Sequence, residues 1–293
     1  MTRTKSRTAF LLLAPAVLSL VVLTIYPLLH GLYLSLTDYQ LVSSRAPQIV
    51  GLRNYTDLFS DKEFWRALSV TLQYTISSVV LEMILGVALA LLLVQPLRAV
   101  TIARTVIIGA MVVTPVIVGT AWRLMYNPGW GLISYFLSLV GIRDQAFLAN
   151  ARTVLPALIV VDVWQWSPLV MLIVMAGLQG ISPEIYEASE VDGASAWQRF
   201  VRITLPLLKP SLAVALLIRT MDCFRTFDTI FAMTGGGPGN SSLNLMIFGY
   251  YTGFEFFRIS SASAISFISL VIITLICMAI VRLFGVELWR KQV

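Results

Sequence analysis

Four ionisable residues recur at a spacing of three inside an otherwise apolar stretch: Arg219, Asp222, Arg225 and Asp228. Asp162 lies in a second such stretch and Glu82 in a third. Charges in apolar surroundings can do two kinds of work. Residues three apart are neighbours on a helix, so the alternating signs can pair and neutralise one another as a ladder. Carboxylates, guanidinium groups and amides can also line a polar cavity and match the donors and acceptors of a hydroxyl-rich ligand, with an aromatic face covering its C–H surface. Both readings stay open on the residues alone. Glu82, within Glu82-Met-Ile-Leu-Gly86, is expected to pack by hydrogen-bonding a neighbouring segment.

Other chemistry finds little support. Cys223 and Cys277 each sit in an apolar run without a ligand-like neighbour or an activating base, and read as small packing residues. The single histidine, His30, completes no metal site. The glycine run 235–239 lacks a following Lys-Ser/Thr and is a turn rather than a phosphate-binding loop.

The elements that must position these charges are apolar and long. Of 293 residues, 58% are hydrophobic and 12% charged, against about 25% charged in soluble domains. Six runs, roughly 9–36, 69–94, 103–126, 153–180, 210–233 and 261–284, each reach the 20 or so residues that cross a bilayer core of about 30 Å. The fold class expected is all-α: a polytopic bundle of six transmembrane helices, with 1–293 as a single transmembrane domain. The first run follows Arg3, Lys5 and Arg7 but is too long for a signal-peptide core, so it is expected to be a retained helix. At 1.5 Å per residue, Asp222 falls about 18 Å above Pro210, near the midplane, with Asp162 at similar depth.

The net charge of +6 could suggest nucleic acid, but the basic residues cluster at the ends of apolar runs, where they set orientation. The N-terminus, the short connection holding Arg98 and Arg104, and the C-terminus with Arg282, Arg290 and Lys291 are expected in the cytoplasm. The segments 37–68, 127–152 and 234–260 are then outside, and 181–209 is cytoplasmic.

That last segment predicts its own structure. Ser182 caps a helix starting at Pro183, with Glu184 on the dipole. Gly193 breaks it. Ser195 and Gln198 have capping-box spacing for a second helix, bounded by Pro206 and Pro210. Such an amphipathic hairpin could lie on lipid, dock on a partner or pack on its own bundle.

The same residues carry a resemblance. Glu187-Ala188-Ser189, three residues, Gly193, nine residues, Ile203, one residue and Leu205-Pro206 resembles the EAA signature of permease subunits of binding-protein-dependent ABC importers, with Ser189 where alanine is usual. The chain is most similar to the carbohydrate-uptake type, which includes the larger maltose-permease subunit and the glycerol-3-phosphate permease. Gly51-Leu-Arg-Asn-Tyr-Thr-Asp-Leu-Phe59, Thr114-Pro115 with Trp122 and Asn127, and Thr234-Gly-Gly-Gly-Pro-Gly239 resemble further family segments.

The resemblance implies a non-catalytic subunit of a sugar importer in the bacterial inner membrane, with both termini cytoplasmic. It implies a heterodimer with a second permease and an extracytoplasmic sugar-binding protein. It also implies an ATPase dimer that binds ATP and magnesium in place of any cofactor here. The ATPase-coupling residues implied are Glu187, Ala188, Ser189, Glu190, Asp192, Gly193, Ile203, Leu205 and Pro206. The substrate-pathway positions implied are Asp162, Gln165, Trp166, Leu169, Arg219, Asp222, Cys223, Thr226 and Asp228. Arg219-Thr-Met-Asp222 and Phe224-Arg-Thr-Phe-Asp228 are more similar to permeases for trehalose or polyols. Two rivals remain to be weighed: a proton-coupled transporter working alone through Asp162 or Asp222, and a membrane-embedded enzyme.

Overall fold

A computed structural model describes residues 13–94, 98–141 and 146–285. Residues 9–12 of the expected first span, with Arg3, Lys5 and Arg7, lie outside these residues, as do Arg290 and Lys291. In order, the helices are α1 (Leu13–Ser35), α2 (Arg53–Ser60), α3 (Lys62–Leu93), α4 (Arg98–Val112), α5 (Pro115–Met125) and α6 (Leu132–Leu139). They continue with α7 (Val154–Gln179), α8 (Pro183–Val191), α9 (Ala196–Leu207), α10 (Lys209–Phe224), α11 (Asp228–Thr234), α12 (Leu245–Tyr250) and α13 (Ile259–Leu283).

The fold is all-α. Among the described residues, four helices, α1, α3, α7 and α13, are long and apolar enough to cross a membrane, and two bent pairs, α4 with α5 and α9 with α10, bring the number to six if each pair is one span. The third and fifth expected spans are not single continuous helices. The run 103–126 is not one helix: α4 and α5 meet at 99°. Thr114 is extended and Pro115 opens α5, as the clash of a proline ring with the preceding residue dictates. The run 210–233 also splits, because α10 ends at Phe224 and α11 begins at Asp228. A helix of 16 residues, about 24 Å long, falls short of the bilayer core.

The described residues form two compact units, the described part of Met1–Trp65 with Phe248–Val271, and Arg66–Ile247 with the described part of Ile272–Val293. In the first, α1 exposes its apolar side chains along its length, as a helix facing lipid does. Polar groups at its end are satisfied locally. Asn54 donates to the carbonyls of Ser35 and Thr37 at 2.8 and 2.7 Å, and the hydroxyls of Thr37 and Ser260 meet at 3.0 Å.

The second unit holds the charges. Its centre is α7, where Val170, Met171 and Val174 pack with Leu208, Leu212 and Ala215 of the segment leading into and along α10. Small residues allow the approach. A Cβ on Gly86 of α3 would come within 2.5 Å of the Val170 side chain, and one on Gly177 would collide with Ser211 and Leu208. On the other side, α11 packs on α5, where Gly119 lies against Thr229 and Ala232.

Candidate functional site

The charged residues converge on Arg219. Its side chain is 1% exposed, and it is answered mainly by α3 and α7 rather than by its own helix. Nε and Nη2 donate to the two carboxylate oxygens of Glu82 at 2.6 and 2.8 Å. Nη2 also reaches Asp162 Oδ2 at 3.1 Å and Cys223 Sγ at 3.0 Å, and the Cys223 thiol donates to Asp162 Oδ2 at 3.2 Å. The guanidinium carbon lies 5.0 Å from the centre of the Trp166 ring, within cation–π range. Three segments are thus tied together through one side chain.

The ladder that the spacing allows along the fifth span is only partly formed. Arg225 donates to Asp222 at 3.3 Å, while Arg219 Nη1 stays 3.9 Å from Asp222. Residues 225–227 are not helical, so Arg225 and Asp228 do not share a helix face. Asp228 instead opens α11, where a carboxylate faces the positive end of the helix dipole. Glu82 behaves as expected, hydrogen-bonding a neighbouring segment.

Helix breaks within apolar stretches leave backbone groups without helical partners, a state tolerated in a membrane where protein or a cavity surrounds them. Both breaks here are patched by side-chain amides. Gln165 donates to the Val113 carbonyl at 2.9 Å, and Asn244, itself buried, donates to the Thr226 carbonyl. Between the breaks lies a cavity of about 390 Å³. Pro115 lines it from the start of α5, Asp162 and Trp166 from α7, and Arg219 and Asp222 from α10. Arg225, Thr226 and Phe227 contribute from the break, with Asp228 and Thr229 from α11.

Six of the nine expected pathway residues therefore line one cavity: Asp162, Trp166, Arg219, Asp222, Thr226 and Asp228. Gln165 patches the α4–α5 break, and Cys223 is buried among the bonds of the Arg219 cluster. Leu169 is half-buried and is not among the lining residues. By spacing alone Glu82, Asp162 and Cys223 could hold a metal ion. Each is already bonded to the guanidinium of Arg219, which supplies a fixed positive charge at that point.

The segment 181–209 forms the expected hairpin. Ser182 precedes α8 in an extended conformation and Pro183 opens it, but the Ser182 side chain makes no capping bond, contrary to expectation. Gly193 turns the chain at φ +75°, a region a side chain disfavours. The capping box forms, with Ser195 N–H donating to Gln198 Oε1 at 2.9 Å and Gln198 N–H to Ser195 Oγ at 3.3 Å. α9 then runs through Pro206, and the bend of 65° to α10 falls at Leu208.

Two further bonds close the hairpin: Tyr186 to Thr204 at 3.1 Å between hydroxyls, and an ion pair between Glu190 and Arg199. Ser189 is buried and donates to the Tyr186 carbonyl at 2.7 Å. Glu187, Ala188, Asp192, Gly193, Leu205 and Pro206 are exposed, with Ile203 half-buried. Val191 and Trp197 flank the turn at 89% and 72% exposure. A short hairpin thus presents acids and large apolar groups at one tip.

Residues 82–288 match the family described as binding-protein-dependent transport system inner membrane component. The chain is 36% identical over 281 residues to the trehalose/maltose transport system permease protein MalF of Thermococcus litoralis, covering 95% of each. It is 36% identical over 279 residues to the trehalose transport system permease protein SugA of Mycobacterium tuberculosis, covering 95% of this chain and 89% of that one. A permease chain from the crystal structure of a bacterial alginate ABC transporter, in complex with an alginate pentasaccharide-bound periplasmic protein, superposes with a TM-score of 0.85 at 21% identity. That match covers 99% of this chain and 97% of the other, and bears on the fold alone.

Proposed function

The chain belongs to the family of binding-protein-dependent transport system inner membrane components and is a permease subunit of an ABC sugar importer, and from that premise we propose that the cavity around Arg219 takes the sugar during transport. One observation carries the reading: the α4–α5 and α10–α11 breaks converge on a single polar cavity with carboxylates, guanidinium groups, hydroxyls and an indole ring in its wall. Broken helices around a mid-membrane cavity are a recurrent way of building a translocation site. Carboxylates accept from sugar hydroxyls, Thr226 both donates and accepts, and the Trp166 face suits C–H surfaces.

The substrate is an uncharged disaccharide of the trehalose or maltose kind, by analogy with relatives that share more than a third of their residues with this chain over nearly its whole length. The chain pairs with a second permease, and the hairpin tip at Glu187, Asp192 and Trp197 seats in a separate ATPase subunit on the cytoplasmic side. A sugar-binding protein delivers substrate from the opposite side. ATP binding and hydrolysis take place in the ATPase dimer, and rigid helices relay its closure to α7 and α10, which flank the hairpin in sequence and line the cavity. Access to the cavity then alternates between the two sides.

Uptake in cells measured with ATP depleted and the proton gradient maintained tests this reading. Transport should stop. Continued uptake would sink the ATP-driven account and favour a proton-coupled carrier that uses Asp162 or Asp222.

A further inference from the structure

Arg219 lines the cavity but is held from outside it. Glu82, in α3, is fully buried and is not among the lining residues. Its two oxygens take Nε and Nη2 of Arg219 at 2.6 and 2.8 Å, the paired geometry that carboxylate and guanidinium favour. Nη2 is further engaged by Asp162 and Cys223. The remaining arm, Nη1, lies 3.9 Å from Asp222 Oδ2, beyond hydrogen-bond reach. A guanidinium holds its five donors rigidly in one plane, so fixing one edge determines which donors are presented. The guanidinium carbon also lies over the Trp166 ring, 5.0 Å from its centre, a further contact on the same group.

We propose that Glu82 is a positioning residue for sugar binding: by locking the Nε–Nη2 edge of Arg219 from α3, it presents Nη1 to the cavity as the donor to a sugar hydroxyl. This rests on the cavity being the sugar site. It assigns to α3 a part in recognition that its absence from the cavity wall would not suggest. It also explains why an arginine serves here. Lysine could neutralise Glu82 but has no second arm in a fixed direction to offer.

A purely structural clamp predicts something different, and an exchange of partners separates the two. The variants are Glu82→Asp, which keeps the charge and withdraws the carboxylate by one methylene, and the double exchange Glu82→Arg with Arg219→Glu. Each is assembled with its partner permease and ATPase subunits. Retention of radiolabelled trehalose by the complex is measured by equilibrium dialysis, beside assembly yield and ATPase activity. Glu82→Asp should assemble and hydrolyse ATP but retain trehalose roughly tenfold more weakly, the weight of one charged hydrogen bond. The exchange should restore assembly relative to Arg219→Glu alone without restoring retention, since the donor now sits on α3. Parental retention by Glu82→Asp or by the exchange would overturn the inference. Asp222→Asn and Thr226→Val separate the two levels of the argument. If both bind trehalose as the parent does, or if the parent itself retains none, the cavity reading fails and takes this inference with it. If these two weaken binding while Glu82→Asp does not, only the role of Glu82 fails.

Discussion

Replacing Arg219 by leucine should damage the protein more than any other substitution in the cavity wall. The guanidinium is 1% exposed and compensates two carboxylates that are themselves almost wholly buried, Glu82 at 0% and Asp162 at 2%. Leucine fills much of the volume but leaves both carboxylates facing each other without a cation. Breaking a buried pair from one side costs about 3–5 kcal/mol, because the remaining partner stays desolvated and unpaired. Two such partners put Arg219→Leu at the upper end of that range, limited by the freedom of a buried carboxylate to take up a proton instead of remaining charged. Removing the carboxylates as well should reverse most of the loss. Arg219→Leu with Glu82→Leu and Asp162→Leu leaves an apolar cluster, and buried ion clusters replaced in this way are often neutral or more stable. Equilibrium unfolding of the purified chain in mixed micelles would measure both. A loss below about 1 kcal/mol for the single variant, or a triple variant less stable than the single, would refute the reasoning that Arg219 is the compensating charge.

Three other substitutions probe separate parts of the account. Gly86→Leu drives a side chain into Val170, whose Cβ would already lie 2.5 Å from a Cβ at that position, and should destabilise by about 1–3 kcal/mol or more in the same unfolding assay. Asn244→Ala strips the patch from the Thr226 carbonyl and the bond from the Ile247 amide; a loss of about 1–3 kcal/mol is expected, with weaker trehalose retention because the break lines the cavity. Gly193→Pro imposes a φ near −65° where the turn needs +75°, and uptake by the assembled importer should fall while ATP hydrolysis persists and the protein still reaches the membrane.

Much of this architecture was legible in the residues. The long apolar runs at 153–180 and 261–284 gave helix ends within two residues, because span length is dictated by bilayer thickness. The hairpin followed from Pro183, Gly193 and the Ser195–Gln198 box, each a local rule with a local cause. The breaks carry only partial local signals, Pro115 for the first and the polar Arg225-Thr226 for the second, and what stabilises them comes from distant segments, Gln165 for one and Asn244 for the other. Asn244, between the glycine turn and an apolar stretch, has no local feature that sets it apart from Asn240 or names its partner. The spacing of three along 219–228 pointed to a ladder because it assumed one continuous helix. Once α10 stops at Phe224, Arg219 turns to Glu82, 137 residues away, a partner that no local period can name.

The account turns on where the sugar sits. An electron cryomicroscopy map of the assembled importer, trapped with trehalose in the membrane subunits, tests it most directly. Density for the disaccharide should fill the cavity between Trp166 and Asp222, with a hydroxyl within hydrogen-bond distance of Arg219 Nη1 and Glu82 still clamped behind it. Sugar found elsewhere in the translocation path, with this cavity closed and Arg219 out of reach, would contradict the account.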